Sequence, residues 1–424
     1  MGHRIPRREG NRRVTLGPMD VRKEDLALAQ SILVSPAFQE VQRYLAETDE
    51  VTLSHQIELT EISAPPFGEE PRAHRMAELL AECGAVDVSG DAEGNVIAWC
   101  SGPPPGTSRP IVVAAHLDTV FPVGTDVSVT RDGDLLKAPG ISDDGRGLAA
   151  LLALCRALTQ TGTTLPRPLM LVATVGEEGL GDLRGVHHLF SSSGAAREAA
   201  AFISLDGAGR RGIVHQGLGA RRFRVEVEGP GGHSWSDWGR VNPIHALSCG
   251  LASLQDVSLP EDTTLSVGRV GGGKSINAIP QNAWAEIEVR SLHDAELARV
   301  EAEVLSRLES TIEAENHQRI PDSDALTMQR TTIGSRPAGE TPLDSPLVRA
   351  AVAATSVLGR EAASVPSSTD ANVPMAAGIP AITIGGGGAA GEAHTTEEWY
   401  RNTNGPDGIA RAALILLLLD SLGG

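Results

Sequence analysis

The sequence predicts an α/β architecture: a mainly parallel sheet flanked by helices, interrupted by an inserted domain of ferredoxin-like α+β order. Three observations carry this. Apolar strand-length runs alternate with helical segments over the first 218 residues and return after residue 334. Several of those runs end on an acid or a histidine followed by glycine or a turn. Between them the pattern changes to β-α-β-β-α-β with half-polar strands.

In chain order, residues 1–19 are basic, with Arg4, Arg7, Arg8, Arg12 and Arg13, and read as a disordered tail. No apolar segment follows those charges, which excludes an ordinary secretory signal. Helical periodicity marks residues 20–33, 36–45 and 51–63, the last stopping at Ala64-Pro65-Pro66. A further amphipathic helix runs over 71–83 and ends at Gly84. Short strands are expected at 86–88, 95–99 and 111–115. Residues 147–158 are apolar on nearly every side, as in a buried helix. Residues 169–175 and 201–205 are buried strands running into Glu177-Glu178 and Asp206. This gives a first α/β segment over 20–218 and an inserted domain over 219–333. A second α/β segment, 334–424, contains the strand 381–384 and a closing helix.

Composition narrows the function. The 424 residues carry a net charge of −18, which argues against nucleic acid or an anionic membrane as partner. No apolar run reaches membrane-spanning length. Cys83, Cys100, Cys155 and Cys249 are widely spaced and lack C-x-x-C, so they read as thiols of a reducing, cytoplasmic compartment.

Five segments carry candidate chemistry. Asp143 and Asp144 are adjacent carboxylates in Ser142-Asp-Asp-Gly-Arg-Gly147, where a divalent cation would relieve their repulsion; the alternative is an acidic turn capping the next helix. His116 follows a buried strand, and Asp118, two residues on, faces the same way and can orient its ring. Gly176-Glu177-Glu178-Gly179 offers one carboxylate for metal and one for proton transfer. Asp206 ends a strand, and His394 follows the glycines 385–388. Each alone has a plain structural explanation. Together, two imidazoles and several carboxylates at strand ends make a nitrogen-and-oxygen set suited to zinc, cobalt or manganese.

These segments, with Gly231-Gly-His233 and Ala393-His-Thr395, resemble the dizinc aminoacylase and peptidase family that includes peptidase T, carboxypeptidase G, acetylornithine deacetylase and succinyl-diaminopimelate desuccinylase. The resemblance runs from about residue 50 to near the end and is strongest to the peptidase T type. It implies a zinc-peptidase catalytic domain with two Zn2+ per subunit and Asp143 bridging them. His116 and Asp206 would complete one site, and Glu178 and His394 the other. It further implies Glu177 as general base, Asp118 as the support of His116, and a cis peptide between Asp143 and Asp144. The inserted domain would form a homodimer and bring His233 to a partner's oxyanion, and Asn277 and Arg290 would contact substrate. The expected activity is hydrolysis of di- or tripeptides, with Ser367-Ser-Thr-Asp-Ala-Asn372 and the glycine run favouring that class. A deacylase of N-acyl amino acids is the close alternative, and a carbamoyl-amino-acid hydrolase a looser one. A non-catalytic peptide-binding protein on the same scaffold would require a broken ligand set or a lost base, and the sequence has neither.

Overall fold

The computed structural model describes residues 17–423. A nine-stranded mixed sheet organises the larger part. Its strands lie in the order Gly17–Pro18, Ala363–Ser364, Gly212–Val214, Ala381–Ile384, Ala201–Leu205, Ile111–His116, Leu169–Thr174, Val96–Cys100, Val86–Gly90. The four strands from Ala381–Ile384 to Leu169–Thr174 are mutually parallel. Beyond them antiparallel pairing enters on both sides, so the sheet is parallel at its centre and mixed at its margins. A short turn joins Val86–Gly90 to Val96–Cys100, and a connection that short permits only antiparallel neighbours.

The central strands are apolar at every position because both faces are covered. Ile111, Val113 and Ala115 enter one core, with the helices Gly145–Gln160, Pro346–Val357 and Gly405–Leu419. Val112 and Ala114 enter another, with Val186 and Leu189. Every residue from Gly145 to Leu158 is buried, which explains the absence of a polar stripe in that helix.

The expected tail over 1–19 needs correction at its end. Gly17–Pro18 pairs with Ala363–Ser364, and the Met19 N–H donates to the Ala362 carbonyl at 3.0 Å, so these residues extend the sheet. The rest of that segment lies outside the described residues.

The inserted part is an antiparallel sheet ordered Thr263–Gly272, Asn282–Ser291, Gly219–Glu228, Thr327–Arg336. Helices Pro243–Ser253 and Asp294–His317 cover one face. Leu297, Val300, Val304, Leu308 and Ile312 recur at helical spacing and meet Phe223, Val225, Ile287 and Val289 in a core of their own. The other face is a ladder of charge: Arg222 pairs with Glu288 at 2.8 Å and Arg224 with Glu286 at 3.2 Å. The last strand continues to Arg336, three residues beyond the expected boundary.

A second, four-stranded antiparallel sheet was not apparent in the sequence. It joins Thr130–Asp132 and Leu135–Lys137 to Ala389–Gly391 and Trp399–Arg401, and it frames the loop that carries His394. Its strands are three residues long, too short to show a period of two.

Candidate metal centre

The carboxyl ends of the central strands converge on one rim, as they do in sheets of this kind. His116 is the last residue of its strand, Asp206 directly follows Leu205, and Glu177 and Glu178 lie just beyond Thr174. Asp143 stands among them. One oxygen of Asp143 is 3.0 Å from His116 Nε2 and the other 3.0 Å from His394 Nε2. His394 Nε2 is also 2.9 Å from Glu178 Oε1. Ligand-capable atoms of His116, Asp143 and Asp206 lie within 4.8 Å of one another, as do those of Asp143, Glu178 and His394. The two groups share Asp143. The peptide bond between Asp143 and Asp144 is cis.

Surrounding groups fix these side chains. Asp144 accepts from the N–H groups of His116 (3.0 Å), Gly147 (2.9 Å) and Gly207 (3.0 Å), so one buried carboxylate ties together a strand end, a helix start and the loop after Asp206. Glu398 accepts from the N–H groups of Gly140, Ser142 and Asp143 at 2.8 to 3.0 Å and holds the turn that presents Asp143.

Asp118 acts differently from expectation. His116 Nδ1 lies 3.0 Å from the Asp118 main-chain carbonyl and 3.8 Å from its carboxylate. The carbonyl therefore orients the ring by accepting the Nδ1 proton, which leaves Nε2 facing Asp143. The Asp118 carboxylate instead accepts from the Glu177 and Glu178 N–H groups at 2.9 and 2.7 Å. A fully buried carboxylate needs such donors, and these two set the direction of both glutamates.

The electrostatics favour added positive charge. Burial and the neighbouring charges of Asp143 and Glu178 raise the Asp206 carboxyl to about 7. Burial and Glu178 likewise raise Glu177 well above the usual carboxylate range, against the opposing pull of Arg336. Burial acts on Asp143 in the same direction, but hydrogen bonds from His116 and His394 outweigh it and hold Asp143 low. More carboxylates are buried here than the nearby cations neutralise, and a pair of divalent ions matches both the donor set and the deficit.

A cleft of about 500 Å³ opens over the rim, lined by Asp143, Glu177, Glu178, Asp206 and His394, and by Arg290 and Arg336 of the inserted part. No local signal marks Arg336, yet it is buried and donates to Glu177 Oε1 at 3.1 Å and Ser368 Oγ at 3.2 Å. Asp370 is also buried beside the site, and its Oδ1 has no hydrogen-bond partner among the described residues. Arg290 reaches the cleft while paired with Glu288 at 2.9 Å.

His233 and Asn277 do not line the cleft. They sit on and beside the two-stranded ribbon Gly232–His233/Ala278–Ile279, and both are exposed. His233 Nδ1 accepts from the Trp235 N–H at 3.1 Å, so the ring proton lies on Nε2. Within one chain, these two are the sequence-selected residues that stand apart from the rest.

Comparison with known proteins agrees with this arrangement. A fungal protein of Ajellomyces dermatitidis described as a probable carboxypeptidase is 30% identical over 226 residues, covering 48% of this chain and 50% of its own. The chain thus matches about half the length of such curated relatives. Aminopeptidase PepT from Bacillus cereus superposes with a TM-score of 0.70 at 20% identity, over 88% of this chain and 98% of its own. The Bacillus subtilis YXEP protein, described as a dinuclear metal-binding peptidase, gives 0.64 at 18%, over 87% and 98%. At those identities the likeness is one of fold. The sequence model of peptidase family M20/M25/M40 matches residues 112–418, a span that contains every residue of the rim, and the chain belongs to that family.

Proposed function

We propose that the protein hydrolyses a peptide or amide bond in small substrates, most closely di- or tripeptides, using two divalent cations. The observation that supports this best is Asp143 shared between two imidazoles at 3.0 Å each, one grouped with Asp206 and the other with Glu178. In this reading His116, Asp143 and Asp206 hold one ion, and Asp143, Glu178 and His394 the other. Zinc suits the set, and cobalt or manganese could replace it. Such a pair supplies a bound water of lowered pKa and a Lewis acid for the carbonyl.

The chain's own groups do the rest. Glu177 takes the proton of the attacking water and returns it to the leaving nitrogen; burial and the neighbouring Glu178 raise its affinity for that proton. Arg336 fixes one Glu177 oxygen, and the Asp118 carboxylate fixes the Glu177 backbone. Arg290, exposed to the cleft, would bind a substrate carboxylate. His233, with its proton on Nε2, would donate to the oxyanion in the cleft of a second copy, and Asn277 beside it would contact the same substrate. That role requires a homodimer formed through the inserted part. Similarity to PepT and to a probable carboxypeptidase supports cleavage of terminal residues over internal cleavage. The four free cysteines suit a reducing compartment, the cytoplasm in this reading.

Elemental analysis combined with a panel of small peptides and N-acyl amino acids, assayed with and without a chelator, tests the proposal. The expected result is a divalent metal in the protein and chelator-sensitive hydrolysis, fastest on peptides. Faster turnover of N-acyl amino acids would favour the deacylase. Hydrolysis indifferent to metal removal, or no turnover of any amide by metal-loaded protein, would refute the proposal.

A further inference from the structure

A second cavity, of about 760 Å³, also borders Asp143. Asp143 lines both cavities, so the bond attacked at the rim lies where they meet. The second cavity is lined by three arginines, Arg210, Arg211 and Arg360, against two acids, Asp143 and Glu361. In a chain with 36 basic and 54 acidic residues, that concentration runs against the overall balance. The arginines are also incompletely neutralised. Arg210 pairs with Asp407 at 3.2 Å. Arg211 is 3.9 Å from Glu361, beyond hydrogen-bond reach, and both side chains are more than half exposed. Arg360 has no ion-pair partner among the described residues. Besides the charged residues and Ser142, the lining is glycine and alanine. A Cβ at Gly207 or Gly209 would meet nothing within 4 Å, so a ligand can approach the backbone closely there.

The first cavity holds Arg290, paired with Glu288, and Arg336, paired with Glu177. Guanidinium groups therefore line both cavities that border Asp143. We propose that the second cavity is a subsite for a carboxylate, and that the substrate is an amide bearing a negatively charged group on each side of the scissile bond. A peptide beginning with an acidic residue, or the monoamide of a dicarboxylic acid with an amino acid, has this chemistry. Arginine suits the task because its planar fork binds carboxylate through two parallel hydrogen bonds. The inference deepens the hydrolase reading and rests on it for the position of the reacting bond.

Two measurements separate the proposals. The first is calorimetric binding of N-succinyl-alanine and N-acetyl-alanine to metal-loaded Glu177→Ala protein, which needs no turnover. The second is wild-type kcat/KM on Glu-Ala against Gln-Ala. The subsite predicts at least about tenfold preference for the acidic member of each pair, the effect of one charge-assisted pair. The double variant Arg211→Glu/Arg360→Glu should bring both ratios to one or below, while Arg211→Lys/Arg360→Lys should keep each above one. Equal binding of the two acyl amino acids overturns the subsite, as does a preference that survives the glutamate variant with its melting temperature unchanged. Preferential binding with no hydrolysis of any amide leaves the subsite standing and removes the hydrolase reading.

Discussion

The rim of the large sheet and the outer ribbon of the inserted part both contain residues suited to one reaction, yet they are built in opposite ways. At the rim each functional side chain is held by another group: His116 by a carbonyl, Glu177 by Arg336, Asp143 by the turn that Glu398 fastens. At the ribbon, His233 and Asn277 face solvent, and beside them Trp235 and Trp238 are 85% and 81% exposed. Apart from His394, whose side chain is exposed, the rim is largely buried and braced by groups of its own chain. For the exposed His233 to take the role proposed for it, another surface must bring it to a rim. The contrast separates side chains braced within one chain from side chains left to solvent.

The largest effect that could break this contrast is at Glu177. Glu177→Ala should lower kcat by about 10⁴-fold, the upper range for a lost general base, while metal content by elemental analysis stays near the wild-type value. A rate within tenfold of wild type would remove Glu177 from the chemistry. His233→Ala should lower kcat by about 10²-fold, as for a lost oxyanion donor, and only where the protein is dimeric. In dilute protein shown by sedimentation to be monomeric, variant and wild type should share the same low rate; a fully active monomer would confine the reaction to the rim. Asp118→Ala should reduce metal affinity or activity by about 10- to 100-fold, because both glutamates lose their backbone anchor.

The smallest effect is thermal and concerns pH. Asp206 is pushed up to about 7 by burial and by its charged neighbours, well above its unfolded value. A carboxyl raised on folding binds more protons in the native state. Its contribution is fully present below the unfolded pKa and is lost as pH rises through the folded one. The metal-free protein should therefore melt at lower temperature at pH 8 than at pH 5. Added divalent metal should raise the melting temperature more at pH 8, where the carboxylates are ionised. A melting temperature that climbs with pH in the metal-free protein would contradict the assignment.

Part of the rim was legible in sequence because His116, Asp206 and the paired glutamates each close an apolar run. Ile111 to Ala115 leads into His116, Ala201 to Leu205 into Asp206, and Leu169 to Val175 into the paired glutamates. Parallel strands buried on both faces leave no other polar residue nearby to compete for attention. The braces were not legible. Glu398 binds N–H groups more than 250 positions away, and Arg336 reaches Glu177 across 159. Such contacts have no period and no fixed spacing. Asp118 shows the same limit locally: its spacing from His116 was informative, but which of its oxygens meets the ring was decided by the two backbone amides that claim its carboxylate.

Asp144 has a consequence for assembly. Its carboxylate gathers amides from positions 116, 147 and 207, so the proposed cradle for two ions exists only after chain segments some ninety residues apart have met. Ion capture is then a late event in the maturation of the polypeptide. The amount of tightly held metal in a preparation becomes a gauge of how many molecules have reached the native state, readable without any substrate.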